Sequence, residues 1–361
     1  MDATGLTPEA LARKLRVSKE DILAWKNGDS LPNPEASEVL EEIYQRTKNK
    51  LPGREPRVSK PYVESQFLRA DSLECLKDIP DDSIDFILSD IPYGIGLESW
   101  DVLHANTNSA YMGSSAAQER SGKVFGRRHK PINGWSSADA NISKEYYDWC
   151  QTWAPEWLRV LKPGGSAMVF AGRRLAHRCV SALEDTGFNY RDMLCWIRPK
   201  SVLRAQRLSM VYKKRGDLAE ADRWKGWRVG NLRPSFEPII WCFKPYAVTI
   251  ADNMLDHHLG AMNVDRFKEL TGSVDNILKF GFSPKEGGLH QAQKPVSLLK
   301  TLIELCTVEG QIVLDPFAGS GSTAVAAIEA NRRYFGVERD PQTYTTAQER
   351  IDTLIQKRQA L

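Results

Sequence analysis

The segment Val313-Leu-Asp315-Pro-Phe317-Ala-Gly319-Ser-Gly321-Ser-Thr323 passes from an apolar run to an acidic residue and then to a glycine-rich turn. The apolar run predicts a buried strand, and residues 322–330 predict a helix after the turn. Glycines have no Cβ, so they let the backbone of such a turn approach a ligand closely. The segment lacks the lysine of a phosphate-binding P-loop and is not a G-x-G-x-x-G fingerprint. It therefore predicts a strand–turn–helix unit whose acidic edge suits a cationic ligand.

Apolar runs and helical patterns alternate along the rest of the chain. Strands are predicted at residues 67–70, 83–89, 167–171, 311–314 and 334–337. Helices are predicted at residues 146–161, 295–306, 322–330 and 341–356, with a turn at 163–166 and a long polar loop at 106–141. Strands that alternate with helices predict an α/β fold with a mainly parallel sheet.

A second segment, Ser89-Asp90-Ile91-Pro92-Tyr93-Gly94, follows a predicted buried strand. The two segments resemble the motifs of the DNA amino-methyltransferases, "DPFxGSGT" and "(D/N/S)PP(Y/F/W)". The tetrapeptide precedes the glycine-rich turn by about 220 residues, as in the circularly permuted "beta" arrangement of that family. The resemblance implies a Rossmann-like methyltransferase domain that uses S-adenosylmethionine. It covers residues 67–355, apart from 106–141 and 203–289, which match no motif.

The resemblance assigns roles to individual positions. The catalytic residues would be Asp90, Ile91, Pro92 and Tyr93. The cofactor-binding residues would be Asp71, Lys294, Pro295, Asp315, Phe317, Gly319, Gly321, Ser322, Thr323 and Glu338. In the family, Glu338 would accept hydrogen bonds from the ribose hydroxyls, Asp71 would bind the adenine amino group, and the segment before Pro295 would contact the methionine end of the cofactor. Asp71 could instead be a plain strand-end cap.

The chemistry explains why these residue types occur in the tetrapeptide. An exocyclic amino group is a poor nucleophile because its lone pair is delocalised into the ring. Two acceptors, the Asp90 carboxylate and the backbone carbonyl of Ile91, would favour its pyramidal, nucleophilic form. The ring of Tyr93 would stack on a base flipped out of the duplex.

Three positions depart from the family pattern. Ile91 stands where the first proline is usual, but its role uses a backbone carbonyl, and Pro92 still restricts it to extended geometry. Ala70 replaces a glycine, and Ala292 replaces a threonine. The site is expected to remain active.

Residues 1–50 read as a separate helical unit, followed by a linker at 51–61 and the methyltransferase domain at 62–361. Residues 11–32 resemble the helix-turn-helix of phage-repressor-like domains, although Arg16 stands where glycine is usual. The resemblance implies that Ser18, Lys19 and Lys26 lie near DNA. The alternative is a small bundle used for packing or dimerisation, so a homodimer is a further prediction.

Positive charge is concentrated in one segment, although the 361 residues have a net charge of only +3. Residues 191–244 contain 13 Lys and Arg against 5 Asp and Glu, which suits a polyanion. Target-recognition insertions are predicted at about 100–145 and 198–290. DNA-binding residues are predicted there at Arg127, Arg128, Arg204, Arg207, Lys213 and Lys214. Trp224 and Trp227 lie in the same basic segment and could pack against a sugar or base. The alternatives are a solvated basic face for the charges and core packing for the tryptophans.

Composition excludes several classes of protein. There is no apolar run of eighteen residues and no signal-peptide pattern at the start, so a cytoplasmic protein without a membrane span is expected. The six cysteines form no C-x-x-C pair and the histidines have no ligand spacing, so neither a disulfide framework nor a metal site is expected.

The sequence thus predicts a methyltransferase that acts on double-stranded DNA, with adenine N6 as the target because residue 90 is Asp rather than Ser. Cytosine N4 is the close alternative. A non-catalytic DNA-binding regulator with a relic fold and an RNA methyltransferase are rivals from other classes.

Overall fold

The computed structural model describes residues 8–48, 62–93, 137–198, 205–229, 232–283, 286 and 293–359. The chain divides into two compact units, Met1–Lys60 and Pro61–Leu361. The predicted DNA-binding residues Arg127, Arg128 and Arg204 lie outside the described residues.

The described part of the first unit, residues 8–48, contains three helices, α1 (Pro8–Leu15), α2 (Lys19–Asn27) and α3 (Pro34–Lys48). They enclose a small core of Leu11, Ala12 and Ile22. A capping box at Ser18 begins α2, because the Ser18 hydroxyl accepts from the Asp21 N–H at 3.0 Å and the Asp21 carboxylate accepts from the Ser18 N–H. Gly28, with φ +82°, ends it.

The second unit alternates strands and helices. Its strands are β1 (Gln66–Arg69), β2 (Ile84–Asp90), β3 (Leu161–Phe170), β4 (Asn189–Ile197), β5 (Gln206–Arg207), β6 (Arg228–Val229), β7 (Phe236–Phe243), β8 (Ile277–Leu278), β9 (Ile312–Asp315) and β10 (Arg333–Glu338). Its helices are α4 (Ser72–Lys77), α5 (Ser137–Val160), α6 (Ala176–Thr186), α7 (Leu208–Lys214), α8 (Leu218–Arg223), α9 (Ile250–His257), α10 (Val264–Thr271), α11 (Val296–Cys306), α12 (Ser322–Glu329) and α13 (Pro341–Gln359).

Eight of these strands form one sheet in the order β1-β10-β9-β2-β3-β7-β4-β8. All pairings are parallel except those of β7 with β3 and β4. Helices cover both faces and enclose two apolar clusters, because central parallel strands are buried on both sides. This is the α/β fold with a mainly parallel sheet that the sequence predicts.

The pairing of β2 with β9 explains how two distant motifs meet. Phe86 lies opposite Val313 and Ile87 opposite Leu314. Since both strands point the same way, their carboxyl ends lie at the same edge of the sheet. Connections leave in opposite directions from such a neighbouring pair, and open α/β sheets bind ligands at this switch point.

Three predicted boundaries need correction. Helix α5 begins at Ser137, so the end of the predicted loop at 106–141 and of the predicted insertion at 100–145 is helical. The predicted turn at 163–166 lies within the span of β3, where Ile84 pairs with Leu161 and Phe86 with Ser166, so the residues between them loop out of the pairing.

The third correction concerns the insertion predicted at 198–290. Strand β7 lies inside that range but occupies the middle of the main sheet, between β3 and β4. Its Pro-Ile-Ile-Trp-Cys run is apolar and buried, which is the pattern of a central strand. The insertion that leaves the sheet after β4 therefore returns at Phe236. No helix within the described residues is long and apolar enough to cross a membrane.

Candidate active site

The carboxyl ends of β2 and β9 bring two acidic residues into one buried site. Asp90 ends β2 and Asp315 ends β9. The hydroxyl of Ser89 donates to Asp315 Oδ1 at 2.7 Å, across 226 residues of sequence. The two segments that the sequence singles out therefore share one hydrogen bond, and they form one site.

The carboxylate of Asp90 has a donor on each oxygen. The hydroxyl of Tyr93 donates to Oδ1 at 3.0 Å, and the ammonium of Lys294 donates to Oδ2. Lys294 is only 5% exposed and comes from the segment that leads into α11. Burial raises the pKa of Asp90, while the charge of Lys294 opposes the rise. The pKa of Tyr93 is also raised, first by burial and then by the neighbouring carboxylates.

Glu237 is a part of this site that sequence reasoning missed. It lies at the start of β7, is 8% exposed, and places Oε2 at 3.3 Å from the Tyr93 hydroxyl and 3.5 Å from Lys294 Nζ. Its Oε1 accepts from Arg198 at 2.6 Å. An acidic residue that opens an apolar strand is the signal in the sequence, but assigning residues 198–290 to an insertion concealed it.

The residues that follow Asp90 are held by packing. The Ile91 side chain is 1% exposed within the core cluster, which explains how an isoleucine is accommodated here. The hydroxyl of Tyr146, on α5, donates to the carbonyl of Pro92 at 3.2 Å. Gly172 backs onto Tyr93, since a Cβ at residue 172 would lie 2.9 Å from the Cβ of Tyr93.

The glycine-rich turn between β9 and α12 has two residues in the left-handed region, Gly319 (φ +51°) and Gly321 (φ +74°). The Gly319 N–H donates to Glu338 Oε2 at 2.9 Å, so the acidic end of β10 is fastened to this turn. A Cβ on Gly319 would meet nothing within 4 Å, whereas one on Gly321 would lie 3.2 Å from Ala347. The turn thus has open space above Gly319 and close packing behind Gly321.

The buried carboxylate of Asp315, just before this turn, suits a cationic ligand. Burial raises the pKa of Asp315 to about 6, and hydrogen bonds from Thr323, Ser89 and the Phe317 N–H oppose the rise. None of these described partners carries a positive charge. A buried carboxylate is costly unless it is paired, so a bound cation would stabilise its ionised form.

Other predicted cofactor residues surround the turn. The ring of Phe317 lies 5.9 Å from that of Trp149 on α5. The Ser322 hydroxyl accepts from Arg350 of α13 at 3.0 Å, so it holds the turn to the neighbouring helix. Pro295 is the N-cap residue of α11.

Asp71 and Gln293, two polar residues from the predicted cofactor segments, differ in their hydrogen bonding. Asp71 is exposed and caps α4, accepting from the Leu73 N–H at 2.9 Å. It follows β1, which pairs with β10, the strand that ends in Glu338. Gln293 is buried, and neither polar atom of its amide has a hydrogen-bond partner among the described residues. A buried amide without partners points to a ligand. Gln293 lies in the segment before Pro295 that the resemblance assigns to the methionine end of the cofactor, although it was not singled out as a site residue.

The predicted DNA-binding residues lie in two places. Ser18, Lys19 and Lys26 are exposed residues of the first unit, and the Ser18 hydroxyl is engaged in the capping box. Arg207, Lys213 and Lys214 are exposed on β5 and α7, in the insertion between β4 and β7.

Comparison with known proteins decides the family. Residues 84–349 match the N6/N4 family model described as "DNA methylase". The chain belongs to the N6/N4 DNA methylase family. The methyltransferase is 49% identical to Type II methyltransferase M.HindIII of Haemophilus influenzae over 289 residues, which cover 78% of this chain and 93% of that protein. It is 26% identical to Type II methyltransferase M.HinfI of Haemophilus influenzae over 293 residues, covering 79% and 67%.

A solved structure agrees on the fold. The PvuII DNA methyltransferase, described as cytosine-N4-specific, has a TM-score of 0.51 and 17% identity, covering 82% of this chain and 93% of that one. As a member of its family, the methyltransferase transfers a methyl group from S-adenosylmethionine to DNA. The described residues contain no group of three or more His, Cys, Asp or Glu that could hold a metal ion.

Proposed function

We propose that the methyltransferase modifies N6 of adenine in double-stranded DNA. The observation that carries the proposal is the carboxylate of Asp90, held at the end of β2 beside the ring of Tyr93. A carboxylate is a stronger acceptor than the serine hydroxyl that would favour cytosine N4.

The residues of the tetrapeptide would prepare the amino group for attack. Asp90 accepts one amino hydrogen and the Ile91 carbonyl accepts the other. The nitrogen then becomes pyramidal, and its lone pair is no longer delocalised into the ring. Burial raises the pKa of Asp90, which suits a group that takes up the proton lost from nitrogen and holds it at Oδ. Tyr93 stacks on the base, and Gly172 leaves room for the tyrosine.

The glycine-rich turn would hold the cofactor. When bound, S-adenosylmethionine supplies an electrophilic methyl group. Asp315 would face its positive charge, Glu338 its ribose hydroxyls, and Phe317 would pack against it. The backbone at Gly319 would lie close to it, because no Cβ occupies that space. Gln293 would bind it with its otherwise unpartnered amide.

The insertion after β4 would contact the DNA. Arg207 lies directly opposite Arg228 across the ribbon of β5 and β6. Like charges in that position repel each other, and a phosphate would relieve the repulsion. Trp227 is 61% exposed beside them, so it is available to pack against a sugar or base rather than serving as core.

The N-terminal unit would act as a helix-turn-helix DNA-binding domain. Arg16 adopts φ +56°, the left-handed conformation that a glycine would take at this position of the motif. Its short turn joins α1 to α2, whose exposed face has Lys19 and Lys26. The domain boundaries at 50 and 62 and a homodimer stay predictions, and light scattering tests the latter. Because the substrate is DNA, we place the protein in the cytoplasm.

The decisive experiment identifies the methylated base. DNA from cells that express the protein is digested to nucleosides and analysed by mass spectrometry, with Asp90→Ala as the control. N6-methyladenine that is absent from the control supports the proposal. N4-methylcytosine would refute the choice of base, and methylation of RNA alone would refute the choice of nucleic acid.

The relatives named above are type II methyltransferases, so we propose that the protein is the modification enzyme of a restriction–modification pair. The same DNA can be challenged with the HindIII endonuclease. Resistance that disappears in Asp90→Ala would indicate that the specificity of M.HindIII is shared, and full cleavage would indicate a different recognition sequence.

A further inference from the structure

Each oxygen of the Asp90 carboxylate already accepts from one donor. Tyr93 donates to Oδ1 and Lys294 donates to Oδ2. An ionised carboxylate oxygen can accept more than one hydrogen, but the ammonium on Oδ2 offsets the negative charge that, under the proposed function, Asp90 presents to the amino group of a base.

A second carboxylate lies within reach of the same donors. Glu237 Oε2 is 3.5 Å from Lys294 Nζ and 3.3 Å from the hydroxyl of Tyr93. Glu237 is buried, and its other oxygen is fixed by Arg198 at 2.6 Å. A buried carboxylate held in this way is a fixed acceptor that a small movement of the lysine side chain can reach.

We propose that Glu237 is a positioning residue that receives the ammonium of Lys294 when a base binds to Asp90. This inference rests on the proposed function of Asp90. Lys294 moves from one carboxylate to the other and stays buried and paired throughout. Oδ2 of Asp90 then becomes available to the amino group, while Tyr93 keeps its place against the base.

The charges explain why the lysine rather than the tyrosine moves. The amino group gains positive charge as the methyl group is transferred, and an ammonium on Asp90 would oppose that charge at close range. With Lys294 on Glu237, the full negative charge of Asp90 faces the reacting nitrogen. The tyrosine hydroxyl is neutral, so its bond to Oδ1 carries no such penalty.

Glu237 also links the site to the DNA-binding insertion. Arg198 follows β4 and Glu237 begins β7, so the ion pair joins the two ends of the segment that leaves the sheet. If DNA moves that segment, the movement is passed to Glu237, the acceptor for Lys294, through the single ion pair with Arg198.

The test is the substitution Glu237→Gln. Gln has the same shape and can still accept from Arg198 through its oxygen, but its N–H₂ group cannot accept the ammonium. Single-turnover methyl transfer is measured with the full-length protein in excess over unmethylated DNA from a methylation-deficient bacterial strain. We expect the rate to fall by about 10- to 100-fold, while the dissociation constants for DNA and S-adenosylmethionine stay within about threefold.

Two further variants separate positioning from a structural role. Glu237→Asp keeps the charge and should recover part of the rate. In a Lys294→Met background there is no ammonium to receive, so adding Glu237→Gln should change the rate by less than about threefold. Asp85→Asn is the matched control, because Asp85 is also a buried carboxylate paired with a lysine, Lys162, at 2.6 Å.

The outcomes are distinguishable. A Glu237→Gln rate within threefold of wild type, or an equal loss in the Lys294→Met background, would overturn the inference. If Glu237→Gln does not fold, as judged by thermal unfolding, the comparison of Glu237→Asp in the two backgrounds decides in the same way. A wild-type protein that methylates no DNA would refute the proposed function itself.

Discussion

Two alanine substitutions in the glycine-rich turn should have opposite consequences. Gly319 has φ +51° with open space where a Cβ would lie, and Gly321 has φ +74° with Ala347 and Ile351 in the way. We expect Gly319→Ala to impair mainly cofactor binding, and Gly321→Ala to cost the larger loss of stability.

The magnitudes follow from the geometry. A non-glycine residue in the left-handed region costs about 1–2 kcal/mol, and the lower entropy of the unfolded alanine chain offsets part of this. Gly319→Ala should therefore lose about 1 kcal/mol. At Gly321 the added Cβ lies 3.2 Å from Ala347 Cβ and 3.3 Å from Ile351 Cδ1, which adds about 1–3 kcal/mol of overpacking. Each kcal/mol corresponds to about 2–4 °C in Tm.

The assay combines thermal unfolding with calorimetric binding of S-adenosylmethionine. The methyl group added at Gly319 enters the space in which we propose that the ligand binds, so affinity should fall at least tenfold, which is about 1.4 kcal/mol. The ligand should then raise the Tm of Gly319→Ala less than that of wild type. The reasoning is refuted if Gly319→Ala binds within threefold of wild type, or if Gly321→Ala is as stable as Gly319→Ala.

Three further predictions concern other parts of the molecule. Burial raises the pKa of Asp315 to about 6, so its protonated form dominates below that pH. Calorimetry should therefore show cofactor affinity falling about tenfold per pH unit below about pH 6 and levelling off above it, and a flat binding profile would contradict this. Without ligand, the stability of the protein should decrease as the pH rises from about 4 to about 6. Ser89→Ala removes the buried hydrogen bond to Asp315 and should cost about 1–3 kcal/mol in urea unfolding, with a loss under about 0.5 kcal/mol counting against it. Replacing Lys213 and Lys214 by alanine should reduce the salt dependence of DNA binding, with the slope of log K against log salt smaller by about 1.8; an unchanged slope would mean that neither lysine contacts phosphate.

Local features of the chain could be predicted from the sequence. The capping box at Ser18 and the glycine at residue 28 define α2, since a helix end depends on residues within one turn of it. The apolar run before Asp315 and the glycines after it define β9 and its turn. Where a prediction was wrong, the short segment on which it rested was compatible with more than one local structure. A Pro-Gly-Gly run at 163–165 reads as a turn, yet it lies within the span of β3 as a stretch that loops out of the pairing.

The sequence by itself determined the strand–turn–helix unit, the tetrapeptide that begins with Asp90, and the family. Each of these depends on motifs whose residues are close together in the chain. Only the tertiary structure decided which distant residues share the site. Ser89 meets Asp315 across 226 residues, Lys294 meets Asp90 across 204, and Tyr93 meets Glu237 across 144. These meetings depend on the order of strands in the sheet, which places β2 beside β9 and β7 beside β3. Strand order is set by burial of the whole apolar surface, and no short segment of sequence contains that information.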